Sequence, residues 1–164
     1  MRNHIESLIL HYTNIKEMPI VRITKEFRFE GAHALNGYDG KCRHIHGHSY
    51  LMYVTIKGRP LENETHPKNG MLIDFGILKR IVNENIVEKF DHALVMKKDS
   101  VLSSEIQENY GNVIITDFQP TSENLICHFA EILKDKLPAE VELSAIRLYE
   151  TATSYAEWLS EDNQ

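Results

Sequence analysis

Apolar and polar residues alternate along this chain with a period that changes from segment to segment. In "VRITKEFRFEGAH", Val21, Ile23, Phe27 and Phe29 fall on odd positions and polar or charged residues on the even ones, Lys25 being the odd-numbered exception. A period of two predicts a strand buried on one face. "NGYDG" at 36–40 has the Asn-Gly and Asp-Gly steps of a turn. "SYLMYVTIKG" at 49–58 is β-branched and aromatic, which predicts a second strand paired antiparallel with the first. "LENETHPKNG" at 61–70 reads as loop. The period then lengthens: Ile77, Leu78, Ile81, Val82, Ile86 and Phe90 have helical spacing behind Asp74, a candidate N-cap. "VIIT" at 113–116 reads as a short extra strand, and "PTSENLICHFAEILKDKL" as a second helix. Thr121 or Ser122 would cap that helix, Leu125, Phe129, Ile132 and Leu133 would form its inner face, and Pro138 would end it. "VELSAIRLYET" and "SYAEWLS" predict two last strands around a tight "ATS" connection.

The order ββααββ implies an α+β domain with two helices on one face of a four-stranded antiparallel sheet. Residues 1–19, ending at Pro19, fall outside that pattern as an N-terminal extension, and 20–164 form a single domain. An open sheet has bare edges, which points to strand pairing between subunits and so to a homo-oligomer.

Composition narrows the function classes. The 164 residues are 42% hydrophobic and 26% charged, as in an ordinary globular domain, and the formal charge is −6. That balance lacks the basic footprint of a nucleic-acid binder. No run approaches the roughly 20 apolar residues that cross a bilayer. The two cysteines, Cys42 and Cys127, are too few for a secreted disulfide scaffold, so a cytoplasmic location with reduced thiols is expected.

The densest chemistry lies in "CRHIHGHSY" at 42–50. His46 and His48 stand two apart at the entry to a strand, so their rings share a face. His33 ends the first strand, where antiparallel pairing would bring it close. Three neutral histidines suit zinc and leave a coordination position open for water or substrate. A closed site with Cys42 as fourth ligand is the rival arrangement, and His44 is a weaker ligand candidate. Cys42 has Lys41 and Arg43 as neighbours, and cations favour the thiolate, a base or nucleophile. Cys127 lies in the apolar pattern of the second helix and is expected to pack in the core. Asp91 and His92 form a carboxylate–imidazole pair just past the first helix. Glu123 reads as a helix-start charge, whereas Glu150 closes an apolar strand, where it could line a pocket.

Taken in order, "FRFEGAH", "CRHIHGHSY", "GMLIDFGILK", "FDHALV", "PTSENL" and "LYET" resemble the 6-pyruvoyl-tetrahydropterin synthase family, and most of all its bacterial 6-carboxytetrahydropterin synthase branch. The resemblance spans roughly residues 22–158. It implies a tunnelling fold (T-fold) whose subunits assemble as trimers, or as dimers of trimers, with the sheets closed into a barrel. It implies zinc on His33, His46 and His48, a catalytic set of Cys42, Asp91 and His92 meeting at a subunit interface, and Glu150, with Glu123 nearby, binding the pterin. The implied substrate is 7,8-dihydroneopterin triphosphate. Loss of triphosphate and acetaldehyde would give 6-carboxytetrahydropterin for queuosine synthesis, and retention of the side chain would give the pyruvoyl product. A pterin- and zinc-binding oligomer without turnover, or a structural zinc protein, are the non-enzyme alternatives. Cys42 sets the chain apart from the branch that carries glutamate at this position. The interval between His92 and Thr121 is longer than expected of compact members. Lys25 and Arg28 are triphosphate candidates by position alone.

Overall fold

A computed structural model describes residues 18–100 and 103–164, with the side chains of Ser103 and Ser104 left out; most of the expected extension, 1–17, lies outside the described residues. Six strands make one sheet: β1 Val21–His33, β2 His46–Gly58, β3 Ala93–Lys97, β4 Val113–Thr116, β5 Glu142–Thr151 and β6 Ser154–Leu159. Their order is β4-β3-β1-β2-β5-β6. The four expected strands β1, β2, β5 and β6 pair antiparallel as neighbours. The sheet is larger than the expected four strands because β3 and β4 add in parallel to the free edge of β1. "VIIT" is β4, as anticipated. β3 went unread because Ala93, Val95 and Met96 are all buried, which erases the period-two pattern of a one-sided strand.

The helices lie where the apolar spacing put them. One rod runs through α1 Phe75–Val82, a π-helical stretch Asn83–Val87 and a last turn α2 Glu88–Phe90. Asp74 caps its start, its carboxylate accepting from the Gly76 N–H at 2.7 Å. A short helix α3, Ser103–Asn109, had no forecast. The last helix, α4 Ser122–Lys136, has Thr121 as its cap, with Oγ1 accepting from the Asn124 N–H at 3.3 Å.

Met52, Val54, Ile56, Ile146 and Leu148 on the sheet meet Leu78, Val82, Ile86, Phe129 and Leu133 on the helices, and all ten are fully buried. Burial of such side chains contributes about 1.5–3 kcal/mol each. Cys127 departs from expectation: it is exposed, because Ile126 and Ala130 take the buried side of α4 and position 127 turns outward.

Candidate metal centre and active site

The register between β1 and β2 assembles the histidines. It sets His33 opposite His46, Gly31 opposite His48 and Phe29 opposite Tyr50. Side chains two apart share a face, so His46 and His48 both reach towards the His33 ring. The donor nitrogens of the three lie within 4.8 Å of one another. Glycines keep the cluster compact. A Cβ on Gly31 would press on the Tyr50 ring at 3.2 Å, and one on Gly47 would meet the Gly31 carbonyl at 3.2 Å.

Hydrogen bonds fix which nitrogen carries the proton. His33 Nδ1 faces the Pro120 carbonyl at 2.6 Å, and His46 Nδ1 faces the His44 carbonyl at 2.8 Å. A carbonyl only accepts, so both Nδ1 atoms are protonated donors and both Nε2 atoms carry lone pairs. Those two lone pairs face each other at 3.0 Å. His48 Nε2 is buried and, among the described residues, has no hydrogen-bond partner. An unpaired buried polar atom costs on the order of 1–3 kcal/mol, and facing lone pairs repel. A single cation among the three removes both penalties. Two nitrogens at about 2.0–2.1 Å from one tetrahedral ion stand roughly 3.3 Å apart, close to the 3.0 Å between the Nε2 atoms of His33 and His46. Burial, the largest influence, also pushes the His33 ring below its ordinary range, favouring the neutral form a ligand needs.

Glu150, at the end of β5, places Oε1 3.4 Å from His33 Nε2 and 3.6 Å from His48 Nε2. The pocket-lining position considered for it therefore lies against the histidines. Tyr50, which the sequence shows only as part of a strand start, stacks on Phe29 beneath the cluster, and its buried hydroxyl has no hydrogen-bond partner among the described residues. Burial, with the Glu150 charge behind it, pushes that phenol well above its ordinary range, so it stays protonated.

Asp91 and His92 follow α2. His92 is at φ +58°, a conformation unusual for a residue with a side chain and costing on the order of 1–3 kcal/mol. Asp91 Oδ1 accepts from the Glu30 N–H at 2.9 Å and lies 3.1 Å from His92 Nδ1. The Glu30 N–H, with His92 adding to it, holds the Asp91 carboxyl below its ordinary range. The His92 N–H donates to the Glu30 carbonyl at 2.6 Å. A cleft of about 550 Å³ joins His92 to His48, Glu30 and Ser49, with Tyr110, Gly111 and Asn112 on its far wall.

The remaining residues stand apart within one chain. Cys42 lies in a single 3₁₀ turn, Lys41–Arg43, half-buried, with its carbonyl accepting from the Leu35 N–H at 3.0 Å. Among the described residues, neither the Cys42 thiol nor the Glu123 carboxylate has a hydrogen bond or ion pair. His44 is exposed and contributes its carbonyl to His46, not its ring to the cluster. Sequence reasoning missed the orienting carbonyls of Pro120 and His44 and the Glu30 backbone, because main-chain groups leave no trace in residue type.

A curled α+β sheet with helices on one face and a histidine triad at one strand end defines a T-fold protein with a candidate metal centre. The chain belongs to the 6-pyruvoyl tetrahydropterin synthase family, whose sequence profile matches residues 22–161. A 6-carboxy-5,6,7,8-tetrahydropterin synthase of Haemophilus influenzae is 35% identical over 141 residues, covering 84% of this chain and 97% of that protein. One from Rickettsia felis is 32% identical over 142 residues, covering 84% and 99%. The solved 6-pyruvoyl tetrahydropterin synthase of Caenorhabditis elegans superposes with a TM-score of 0.62 at 25% identity, covering 88% of this chain and 99% of that one. A Wolinella succinogenes protein shares the fold with a TM-score of 0.67 at 24% identity, covering 86% and 98%.

Proposed function

We propose that this protein is a zinc-dependent 6-carboxy-5,6,7,8-tetrahydropterin synthase. With one water, 7,8-dihydroneopterin triphosphate would become 6-carboxytetrahydropterin, acetaldehyde and triphosphate, a step towards queuosine. The observation that carries this reading is the convergence of three buried-side histidine donors, two of them fixed with lone pairs inward, in a chain 35% identical to a relative of that name. His33, His46 and His48 would hold the ion, which when bound supplies Lewis acidity to substrate oxygens.

The other residues have roles their surroundings suit. The Glu150 carboxylate can accept two hydrogen bonds from the amino and ring N–H edge of a pterin, and its place beside the triad keeps that ring near the ion. Glu123, at the start of α4, is the second pterin-binding candidate. Cys42 would take a proton as general base. His92 would act as the second acid/base: Asp91 holds its Nδ1 proton, which leaves Nε2 to exchange one with substrate. Among the described residues no hydrogen bond or ion pair joins Cys42 to the Asp91–His92 pair, so a neighbouring subunit of a trimer, or of a dimer of trimers, would complete the set.

The test is incubation of the zinc-loaded protein with 7,8-dihydroneopterin triphosphate and assay for acetaldehyde. Accumulation of a pyruvoyl side chain without acetaldehyde would instead assign the pyruvoyl reaction named for the family. A Cys42→Ala variant should keep its zinc and lose turnover. Loss of zinc with the thiol would make Cys42 a ligand and overturn the assignment, and wild-type zinc binding with no product from either route would leave a binding protein.

A further inference from the structure

The turn that carries Asp91 and His92 is held from outside by Glu30 and by Asn112. The side-chain Nδ2 of Asn112 donates to the Asp91 carbonyl at 3.2 Å. Its own carbonyl accepts from the Leu94 N–H at 2.9 Å. Asn112 therefore grips the turn on both sides of His92, just ahead of β4 in the interval that is longer than expected of compact relatives. It also lines the cleft that His92 shares with His48.

The grip matters because of the backbone at His92. A left-handed residue rotates the peptide plane that precedes it, and here that plane carries the Asp91 carbonyl. The Glu30 N–H and carbonyl fix the Asp91 carboxylate and the His92 N–H. The His92 N–H and the Asp91 carbonyl belong to one planar peptide, so the Glu30 carbonyl holds one end of that plane and the Asn112 amide the other, and the plane sets where the His92 ring points. That ring is 77% exposed, so packing does little to orient it. Among the described residues, the amide of Asn112 is the side-chain donor at the Asp91 carbonyl.

We propose that Asn112 is a positioning residue for the Asp91–His92 pair: through the Asp91 carbonyl it locks the left-handed turn, and so keeps the His92 ring in register with the Asp91 carboxylate and Nε2 open to the cleft. This rests on the catalytic role proposed for His92, and the test separates the two.

Asn112→Leu and Asn112→Asp are both close in size to the native side chain, and neither has a donor at neutral pH. Their backbones still offer the carbonyl to Leu94. In the full-length, zinc-loaded protein with isotopically labelled histidine, the His92 ring resonance, assigned with His92→Gln, reports the tautomer without any substrate. The wild type should show the proton held on Nδ1. Both variants should move towards the mixed tautomer of a free imidazole, with zinc content unchanged. Turnover should fall about tenfold in kcat, with KM within about twofold, the pattern of a misplaced acid/base group. Should Asn112→Leu fail to fold, Asn112→Asp decides. An unchanged ring resonance in the folded variants overturns the proposal, as does a shifted resonance with undiminished kcat. A wild type inactive on the pterin triphosphate defeats the functional reading instead, and the ring resonance then still decides whether Asn112 sets the His92 geometry.

Discussion

His33 and His46 each hold one nitrogen to a carbonyl and so turn a bare lone pair towards the other. Removing one ring leaves two donors, too few for tight binding of a divalent ion. His46→Ala should therefore lose most of its zinc, measured as metal per chain by atomic emission, while the fold persists, since His46 is only half-buried. Full metal retention would show that the triad is not the site. Asp91 gives a pH signature. Its folded-state carboxyl lies below the ordinary 3.8 because the charged form accepts from Glu30, with His92 adding to it. The native state then binds protons less readily than the unfolded chain. The stability it contributes is complete above about pH 3.8 and is lost as pH falls through the lower folded value. The difference in urea midpoint between wild type and Asp91→Asn should be constant above that pH and shrink below it. The effect will be small and weakened by salt, because the group is largely solvated. A difference that does not change with acidification would rule this account out.

At the scale of elements, the helix starts set both stability and site geometry. Thr121 caps α4, and the residue before it, Pro120, supplies the carbonyl that orients His33. Thr121→Ala should cost about 1 kcal/mol in urea unfolding, the usual worth of an N-cap. It should also loosen zinc, read as faster loss to a chelator. A cost near zero would mean that another group satisfies the N-terminal amides. The elements were legible where one face is buried and the other wet. Phe27 and Phe29 on β1, and Leu78, Val82 and Ile86 on the first helix, declared their periods. β3 was illegible because both its faces are covered, and α3 because seven residues hold too few apolar positions to show a period. The misplacement of Cys127 has the same root: a small apolar residue on a helix is assigned a side by its neighbours, and here Ile126 and Ala130 take the inner one.

For the whole molecule, the sheet ends in β4 and β6, whose outer edges are unpaired among the described residues. Open edges invite pairing with further strands. Sedimentation at micromolar concentration should give a particle of three or six chains of 19.0 kDa, and dilution to monomer should abolish turnover while each chain keeps its zinc. A monomer fully active on dilution would refute the shared site.

Composition, period and the order of short motifs determined the class of fold, the antiparallel hairpin and the identity of the three histidines. These follow from local rules: a period of two or 3.6 can be read along the chain, and residues two apart on a strand must share a face. Register, tautomer and edge were decided only by tertiary structure. Pairing Gly31 with His48 rather than with a neighbour is a choice between strands, and the Pro120, His44 and Asp91 carbonyls gain their meaning from what folds against them. Main-chain groups are the same in every residue, so only the folded backbone could show that they orient His33, His46 and the "FDHALV" pair.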